Sequence, residues 1–283
     1  MPPRSLRIAA VQMRFRSDLA GNVSHLLGCI RRAARRGADA VLFPECATTG
    51  YRPDFSGLRP GPVRAACAAV ARAARAHRIH VLLGTPVRHR GRWYNSLVVF
   101  DRRGRTLFRY DKNHLTAGDA RFFTPGNTLA FFRIDGVPAT AIICHERRYP
   151  ELVRLPVMLG AQIVFHPNAG LDRLEVSRAK RHGRDGIAVR AFENQVHYIF
   201  ANSVGPQGGG LWSAGDSKIV APDSTVLALA GNHREAMLFA DLDLTAAGRR
   251  YAREALEHPA FLREAWRRML ARCRQHLRRR SSS

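Results

Sequence analysis

Short apolar segments alternate along this chain with longer segments whose apolar residues recur at helical spacing. Residues 40–43 are entirely apolar and end at Pro44, which is typical of a buried strand. Residues 21–36 and the alanine-rich residues 63–77 have the periodicity of amphipathic helices. Strands and helices that alternate in this way form sheets covered by helices, so the pattern predicts an α/β fold.

The second half of the chain repeats this alternation. Asp135-Gly136 is a strong hairpin-turn dipeptide between the apolar residues 129–134 and 137–143. Strands are also predicted at residues 162–166 and 195–202, and one long helix is predicted at residues 173–194. Residues 246–277 are helical in pattern, whereas residues 207–210 (QGGG) are interpreted as a flexible loop.

The formal charge of +24 is the most unusual feature of the composition, since 46 lysines and arginines face only 22 acidic residues. This excess would suit a nucleic acid or an anionic membrane, or it could simply cover a solvated surface. The second interpretation is favoured, because the sequence has no aromatic-interleaved basic stripe, no zinc-finger spacing and no recognisable nucleic-acid motif. We therefore expect no specific nucleic-acid partner.

Nothing in the sequence predicts a membrane segment or a disulfide framework. No apolar run approaches the ~20 residues that span a bilayer, and residues 1–16 lack the apolar region of a secretory signal. The five cysteines are odd in number, irregularly spaced and without a CxxC pair. We expect a cytoplasmic protein with no membrane partner and no metal, in which one cysteine is kept for its reactivity.

Three residues with reactive side chains lie directly after predicted strands. Cys144 follows the apolar residues 139–143, Glu45 follows residues 40–43, and Lys112 follows a third strand. Strand ends deliver side chains to the rim of a sheet, where substrates bind in α/β folds. Each residue also has an ordinary alternative, as a buried structural cysteine, a turn glutamate or a solvated loop lysine. Lys112 is one of only three lysines in this arginine-rich chain, which hints that a compact charge matters there, but taken by itself a solvated loop lysine is the favoured interpretation.

The segments around these residues resemble the three sequence motifs of the nitrilase superfamily of carbon–nitrogen hydrolases. They are LFPECATTGY at residues 42–51, YDKNHL at residues 110–115 and IICHERRYPE at residues 142–151. Residues 122–126, 190–202 and 217–223 are similar to the family as well, so the resemblance extends over residues 7–242. It implies a four-layer α-β-β-α sandwich for residues 1–245, followed by a basic helical C-terminal extension at residues 246–283.

The same resemblance implies a catalytic triad of Glu45, Lys112 and Cys144 that needs neither a metal nor an organic cofactor. Glu45 would accept the thiol proton, the Cys144 thiolate would attack the substrate, and Lys112 would stabilise the oxyanion together with the backbone N–H of His145. Asp119 stands where many members have a second glutamate that orients the lysine and the substrate. It could take over that catalytic role if its loop lies closer, or it could only cap a turn.

The residues after the nucleophile bear on the substrate. His145-Glu146 replaces the Trp-Glu of true nitrilases, which favours an amide or N-carbamoyl substrate over a nitrile. Arg147 and Arg148 resemble an arginine pair that binds the substrate carboxylate in N-carbamoyl-amino-acid hydrolases. For Arg148 a structural ion pair is the favoured interpretation, whereas for Arg147 both interpretations remain open.

His166 and Asn168 end another predicted strand and are candidate pocket residues, although a loop packed by Pro and Gly would explain them equally. The resemblance also implies a homodimer or a larger homo-oligomer. We therefore expect a hydrolase of a small, carboxylate-bearing amide or N-carbamoyl compound, which releases ammonia through a cysteine thioester. The alternatives are a nitrilase with the same triad and, more remotely, a catalytically inactive basic binding protein.

Overall fold

The computed structural model describes residues 3–179, 186–208 and 210–281. The first half of the chain contains β1 (Ser5–Gln12), α1 (Leu19–Arg35), β2 (Ala40–Leu42), α2 (Pro60–His77), β3 (His80–His89), β4 (Arg92–Phe100) and β5 (Thr106–Asp111). Asp18 begins α1, because its carboxylate accepts a hydrogen bond from the backbone N–H of Gly21 at 2.6 Å. Proline in the first turn of α2 costs no helical hydrogen bond, since the N–H groups there have no partner within the helix.

The second half begins with β6 (Phe132–Ile134), β7 (Val137–Ala141), α3 (Glu151–Leu159), β8 (Ile163–Asn168), β9 (Asp172–Arg173), α4 (Leu174–Ala179) and α5 (Ile187–Asn194). It continues with β10 (His197–Asn202), β11 (Val204–Gly208), β12 (Leu211–Ala214), β13 (Lys218–Val220), β14 (Val226–Leu229), β15 (Ala236–Asp243), α6 (Arg250–Glu254) and α7 (Arg263–Ser281).

These strands form two six-stranded sheets and one small sheet. The first sheet has the order β15-β1-β2-β3-β4-β5, and the second has the order β14-β13-β10-β8-β7-β6. Each sheet is parallel in its centre, through β1, β2 and β3 in the first and β7, β8 and β10 in the second. The small sheet is β11-β12-β9. Parallel centres place several strand ends at the same edge of each sheet.

The two large sheets pack face to face, and helices cover their outer faces. The central core joins Ile8 and Leu42 of the first sheet to Phe165 and Ile199 of the second. A separate apolar cluster packs α1 and α2 on the first sheet, and another packs α3, α5, α6 and α7 on the second. The predicted four-layer α-β-β-α sandwich is confirmed.

Two segments predicted as continuous helices are interrupted. The helix predicted at residues 173–194 is represented by α4 and α5, and residues 180–185 of it lie outside the described residues. Gly186, directly before α5, has a positive φ of 75°, which a right-handed helix does not accommodate. The helix predicted at residues 246–277 is divided at Pro259, because proline has no N–H and disfavours helical backbone at the residue before it.

The segment predicted as a flexible loop at residues 207–210 lies in a hairpin instead. β11 and β12 pair antiparallel across it, with a bulge beside Gly208, and residue 209 lies outside the described residues. Gln207 and Gly208 therefore belong to a strand, where a flexible loop was predicted.

The C-terminal helix α7 packs on the helices of the second sheet. Leu270 is only 3% exposed, and Trp266 and Cys273 pack beside it. By contrast, Phe261 is 81% exposed and Met269 is 43% exposed. None of the described helices combines the length and the apolar character needed to cross a bilayer.

Candidate active site

Three chain segments that follow strand ends meet at one edge of the sandwich. Glu45 lies just beyond β2 and Lys112 directly follows β5. Cys144 follows β7 and begins a short 3-10 turn, Cys144–Arg148. The first sheet therefore supplies the carboxylate and the ammonium, and the second sheet supplies the thiol.

Two glycines allow the segments that carry Glu45 and Lys112 to pass close to neighbouring backbone. A Cβ atom on Gly84 would lie 2.1 Å from the carbonyl oxygen of Pro44. A Cβ atom on Gly126 would lie 2.0 Å from the carbonyl oxygen of Asp111. Real Cβ atoms do not approach so closely, so both positions need glycine.

The ammonium of Lys112 lies between two carboxylates in the protein interior. Its Nζ is 2.8 Å from Oε1 of Glu45 and 2.7 Å from Oδ2 of Asp119, and all three side chains have no solvent exposure. Burial alone would lower the pKa of Lys112, but the charges of Glu45 and Asp119 outweigh it and hold the pKa well above its usual range. Lys112 is therefore a permanent cation.

The two carboxylates around Lys112 differ in acidity. Burial raises the pKa of Glu45, and the nearby charge of Asp119 adds to the increase, although Lys112 and Asn95 oppose it. For Asp119 burial is outweighed by the charge and hydrogen bond of Lys112 and by a hydrogen bond from Tyr51, so its pKa is lowered. Asp119 thus balances the ammonium, and Glu45 is left as the stronger base.

The two oxygens of Glu45 have different partners. Oε1 accepts hydrogen bonds from Lys112 Nζ and from Asn95 Nδ2, the latter at 2.7 Å. Oε2 accepts from the backbone N–H of Ala169 at 3.1 Å. Glu45 also lies near enough to the Cys144 thiol for its charge to raise the pKa of that thiol, and since Oε1 already has two donors, we assign the thiol to Oε2.

The Cys144 thiol is protonated at rest. Burial and the charge of Glu45 raise its pKa to about 12, despite the opposing charge of Lys112. A thiol of this acidity is a weak nucleophile at neutral pH, so attack requires a base in contact with the sulfur. Glu45 is in that position.

Cys144 has an unusual backbone conformation that His166 supports. Its φ is +50°, in the left-handed region that non-glycine residues rarely occupy. His166 Nε2 lies 3.1 Å from the Cys144 carbonyl oxygen, and Tyr198 Oη lies 3.0 Å from His166 Nδ1. Burial lowers the pKa of His166 to about 3, so the ring is neutral. A carbonyl only accepts, so Nε2 donates to it and Nδ1 accepts from Tyr198.

The family model for carbon-nitrogen hydrolases matches residues 7–251. The chain belongs to the carbon-nitrogen hydrolase family. An (R)-stereoselective amidase from Pseudomonas sp is 31% identical over 277 residues, which cover 92% of this chain and 97% of that protein. A 2-oxoglutaramate amidase from Bacillus subtilis (strain 168) is 30% identical over 212 residues, 73% of this chain and 79% of that protein.

A solved structure resembles this carbon–nitrogen hydrolase along nearly its whole length. It is an amidase variant from Nesterenkonia sp. AN1 in complex with butyramide, with a TM-score of 0.78 and 26% sequence identity over 94% of this chain and 99% of that chain. The same amidase is described as a nitrilase-superfamily member. Together these findings identify the present chain as an amidohydrolase that acts on carbon–nitrogen bonds other than peptide bonds.

Glu146 of this hydrolase joins the nucleophile segment to the lysine segment. Its buried carboxylate accepts from the backbone N–H groups of Ile143 and Asn113, both at 2.7 Å, and from Tyr110 Oη at 2.8 Å. The sequence had not predicted this role, nor those of Asn95 and Tyr51. A glutamate inside the nucleophile motif, two residues after Cys144, was the available signal for Glu146, whereas nothing local marked Asn95.

The structure separates the predicted substrate residues into two groups. His145 and Arg148 contact each other within the turn that begins at Cys144, where Arg148 Nη1 donates to His145 Nδ1 at 3.0 Å. Asn168 is buried and donates to Asn202 Oδ1 at 2.8 Å. His166 supports the backbone of Cys144, whereas Asn168 contacts Asn202 and keeps a buried Oδ1 without a hydrogen-bond partner among the described residues.

Arg147 is placed differently from these residues. Its side chain is partly buried, and its guanidinium has no hydrogen bond or ion pair with the described residues. Its charge contributes to lowering the pKa of His166 and of His145, which places it beside the nucleophile segment. No three histidine, cysteine or acidic side chains in the described part of the chain are grouped as a metal site requires.

Proposed function

We propose that this carbon–nitrogen hydrolase releases ammonia from a small amide or N-carbamoyl compound that bears a carboxylate, through a thioester on Cys144. The observation that carries the proposal is the Lys112 ammonium held between Glu45 and Asp119 beside the Cys144 thiol. A nucleophile, a base and a fixed cation in mutual contact are the parts that acyl transfer through a covalent intermediate requires.

The first half-reaction forms the acyl-enzyme. Glu45 Oε2 takes the thiol proton while Cys144 Sγ bonds to the substrate carbonyl carbon, and the Lys112 ammonium stabilises the resulting oxyanion together with the backbone N–H of His145. The proton on Glu45 then passes to the amide nitrogen. The carbon–nitrogen bond breaks, ammonia leaves, and a thioester remains on Cys144.

The second half-reaction hydrolyses the thioester. Glu45, ionised again, takes a proton from water as the water oxygen bonds to the thioester carbonyl carbon. The tetrahedral intermediate collapses, the carbon–sulfur bond breaks and the acid product is released. The proton held by Glu45 returns to the Cys144 sulfur, which restores the resting thiol.

The position of Arg147 supports the proposal that the substrate carries a carboxylate. Its guanidinium has no described partner, it is partly buried, and it lies two residues beyond the backbone N–H of His145 that faces the oxyanion in the proposed mechanism. A guanidinium binds a carboxylate through two parallel hydrogen bonds. The similarity to an amidase named for 2-oxoglutaramate, an amide that carries a carboxylate, agrees with this choice.

A neutral aliphatic amide is the second candidate substrate. It is favoured by the similarity to the Nesterenkonia amidase, whose structure contains butyramide. A nitrile remains a third possibility in chemical terms, since the same three residues would serve it.

A substrate panel measured by ammonia release separates these possibilities. The panel contains succinamate, butyramide, an N-carbamoyl amino acid and butyronitrile, with Cys144→Ala as the blank. We expect turnover of succinamate or the N-carbamoyl compound to exceed that of butyramide, and none of the nitrile. A higher kcat/KM for butyramide than for the two carboxylate-bearing compounds would overturn the proposal that the substrate carries a carboxylate. Ammonia release that survives in Cys144→Ala would overturn the mechanism.

Arg147→Ala and Arg148→Ala form a matched pair for the carboxylate contact. Loss of a charged hydrogen bond of about 2 kcal/mol predicts a roughly 30-fold lower kcat/KM for succinamate in Arg147→Ala. Butyramide should be hydrolysed at an unchanged rate by that variant, and Arg148→Ala should resemble the wild type on both substrates. If the two variants lowered kcat/KM for succinamate equally, Arg147 would not be the residue that binds the substrate carboxylate.

We also propose a homodimer in a reducing compartment such as the cytoplasm, where its five free cysteines would remain reduced. The exposed apolar surface of α5 and α6 supports the dimer: Phe192 is 50% and Tyr251 40% exposed, with ring centroids 6.2 Å apart. Sedimentation equilibrium should give a dimer for the wild type and for Phe261→Asp, and a monomer for Phe192→Asp. A monomeric wild type would contradict the proposal.

A further inference from the structure

The helical layer over the first sheet contains no acidic residue. Residues 19–36 and 60–78, which form α1, α2 and their last caps, include no aspartate or glutamate. The arginines of this layer are all exposed, and they are Arg31, Arg32, Arg35, Arg36, Arg64, Arg72, Arg75 and Arg78. We call this surface the arginine face.

The arginine face is shaped as well as charged. α1 and α2 pack against each other, and small residues such as Gly28, Ala69 and Ala73 leave open space between them. A cleft of about 520 Å³ lies there, and an adjoining cleft of about 430 Å³ is lined by α1 residues alone. Arg31 lines both clefts. Arg72 lines the larger cleft and Arg35 the smaller one.

The arginines of this face form no ion pair with an acidic residue in the part of the chain that the structure describes. Arg31, Arg35, Arg72 and Arg75 form no ion pair with any described residue. Nearby acids are already engaged. Asp39, just after α1, pairs with Arg102, and Asp101, in the turn that reaches α2, pairs with Arg105. The positive charge of the face is therefore available to a ligand.

We propose that the arginine face binds the phosphodiester backbone of a nucleic acid, without reading its sequence. Phosphates suit the guanidinium fork, and contacts to phosphates carry no sequence information. A membrane is disfavoured, because a helix that lies in a lipid surface inserts large apolar side chains. No such side chain on α1 or α2 is exposed, whereas the C-terminal segment exposes Phe261 and Met269.

This surface is separate from the active site. It covers the outer face of the first sheet, while Glu45, Lys112 and Cys144 lie beyond strand ends between the two sheets. The proposal does not depend on the substrate of the enzyme. Cys144→Ala should bind nucleic acid as the wild type does.

The test is fluorescence anisotropy of a short labelled DNA duplex, titrated with full-length protein at several salt concentrations. One variant changes Arg31, Arg35, Arg72 and Arg75 to Gln, which is a good helix former. The matched control changes Arg267, Arg268, Arg272 and Arg274 of α7 to Gln and so loses the same net charge. Ammonia release by both variants reports that they are folded.

We expect the first variant to bind DNA at least about tenfold more weakly than the wild type. The slope of log affinity against log salt concentration should be less negative by about 3 to 4 in this variant, since each lost phosphate contact removes nearly one unit of slope. The control should keep most of the affinity. Equal losses in the two variants, or no binding by the wild type, would overturn the proposal. The proposal would also be overturned if the wild type bound phosphatidylserine vesicles but not DNA, and if the first variant lost that vesicle binding.

Discussion

Lys112 and the arginine face are both cationic, but their surroundings are opposite. Lys112 is one ammonium with no solvent exposure, in contact with two carboxylates. The arginines of α1 and α2 are exposed, and four of them have no described acidic partner. A charge in the interior interacts strongly with its neighbours, whereas solvent and salt screen a charge on the surface.

This difference indicates what each kind of charge can do. A buried ammonium has a fixed position and a fixed protonation state, so it can stabilise an oxyanion at one point in space. Exposed arginines act collectively and over a longer range, which suits an extended polyanion and makes any effect dependent on salt. Single substitutions should therefore have large effects in the first region and small ones in the second.

Lys112→Met should have the largest effect, because it leaves the Glu45 and Asp119 carboxylates buried without their cation. Breaking a buried pair in this way costs about 3–5 kcal/mol of the free energy of unfolding. Activity should also fall by at least about 1,000-fold, through loss of oxyanion stabilisation. Urea unfolding and ammonia release measure the two effects. Arg72→Met, on the arginine face, is the control. A loss of stability in Arg72→Met comparable to that in Lys112→Met would contradict the difference between the buried and the exposed cations.

Asp119→Asn should reduce activity less, by roughly 10- to 100-fold, because Lys112 keeps Glu45 as a partner. It should also move the acid limb of the kcat/KM profile to lower pH. Asp119 raises the pKa of Glu45, so removing its charge lets Glu45 ionise at a lower pH. An acid limb that stays in place or moves upward would show that Asp119 does not act on Glu45 electrostatically.

His166→Gln tests the neutral ring that supports the Cys144 carbonyl. The pKa of His166 is about 3 in the folded protein, below its ordinary value of 6.5, so the unfolded chain binds more protons between these values. Wild-type stability should therefore fall as pH decreases from 6.5 towards 3. Glutamine can donate to the same carbonyl but does not titrate, so this decline should be shallower in His166→Gln. The free energy of unfolding is measured by urea unfolding at each pH. If it depended on pH equally in the wild type and in His166→Gln, a buried neutral histidine would be contradicted.

Replacing Arg31, Arg35, Arg72 and Arg75 by Gln should have the smallest effect on the folded enzyme. Like charges three or four residues apart destabilise a helix slightly, so stability at low salt should rise by up to about 1 kcal/mol. The gain should disappear at high salt, and ammonia release should be unchanged. Urea unfolding at low and high sodium chloride concentrations measures this gain in stability. A loss of stability would show that these arginines have partners in the folded protein.

Much of the fold followed from local sequence patterns. The strands and helices of both halves repeat the predicted alternation, because burial on one or two faces imposes a readable periodicity. The predictions were wrong where backbone conformation decides instead. Gly186 and Pro259 interrupt segments whose apolar pattern continues through them, and periodicity alone does not register a left-handed residue or a missing N–H.

The candidate site was only partly predictable. Glu45, Lys112 and Cys144 stand in recognisable motifs at strand ends, and the structure brings all three side chains together. For Asp119 the sequence left two roles open. In the structure its carboxylate contacts Lys112 and also accepts from the backbone N–H of Thr116 at 3.2 Å, a geometry that suits either role.

The amino-acid sequence by itself determined the sheet-and-helix alternation, the chemical identity of the three reactive residues and the absence of acid from α1 and α2. Only the tertiary structure decided which oxygen of Glu45 has fewer donors and can face the thiol, that His166 supports a carbonyl, and that Asn95 holds the base. These assignments depend on side chains from distant segments meeting at 2.7 to 3.1 Å. Hydrogen bonds and pKa values respond to such distances and to burial, neither of which is written in local sequence.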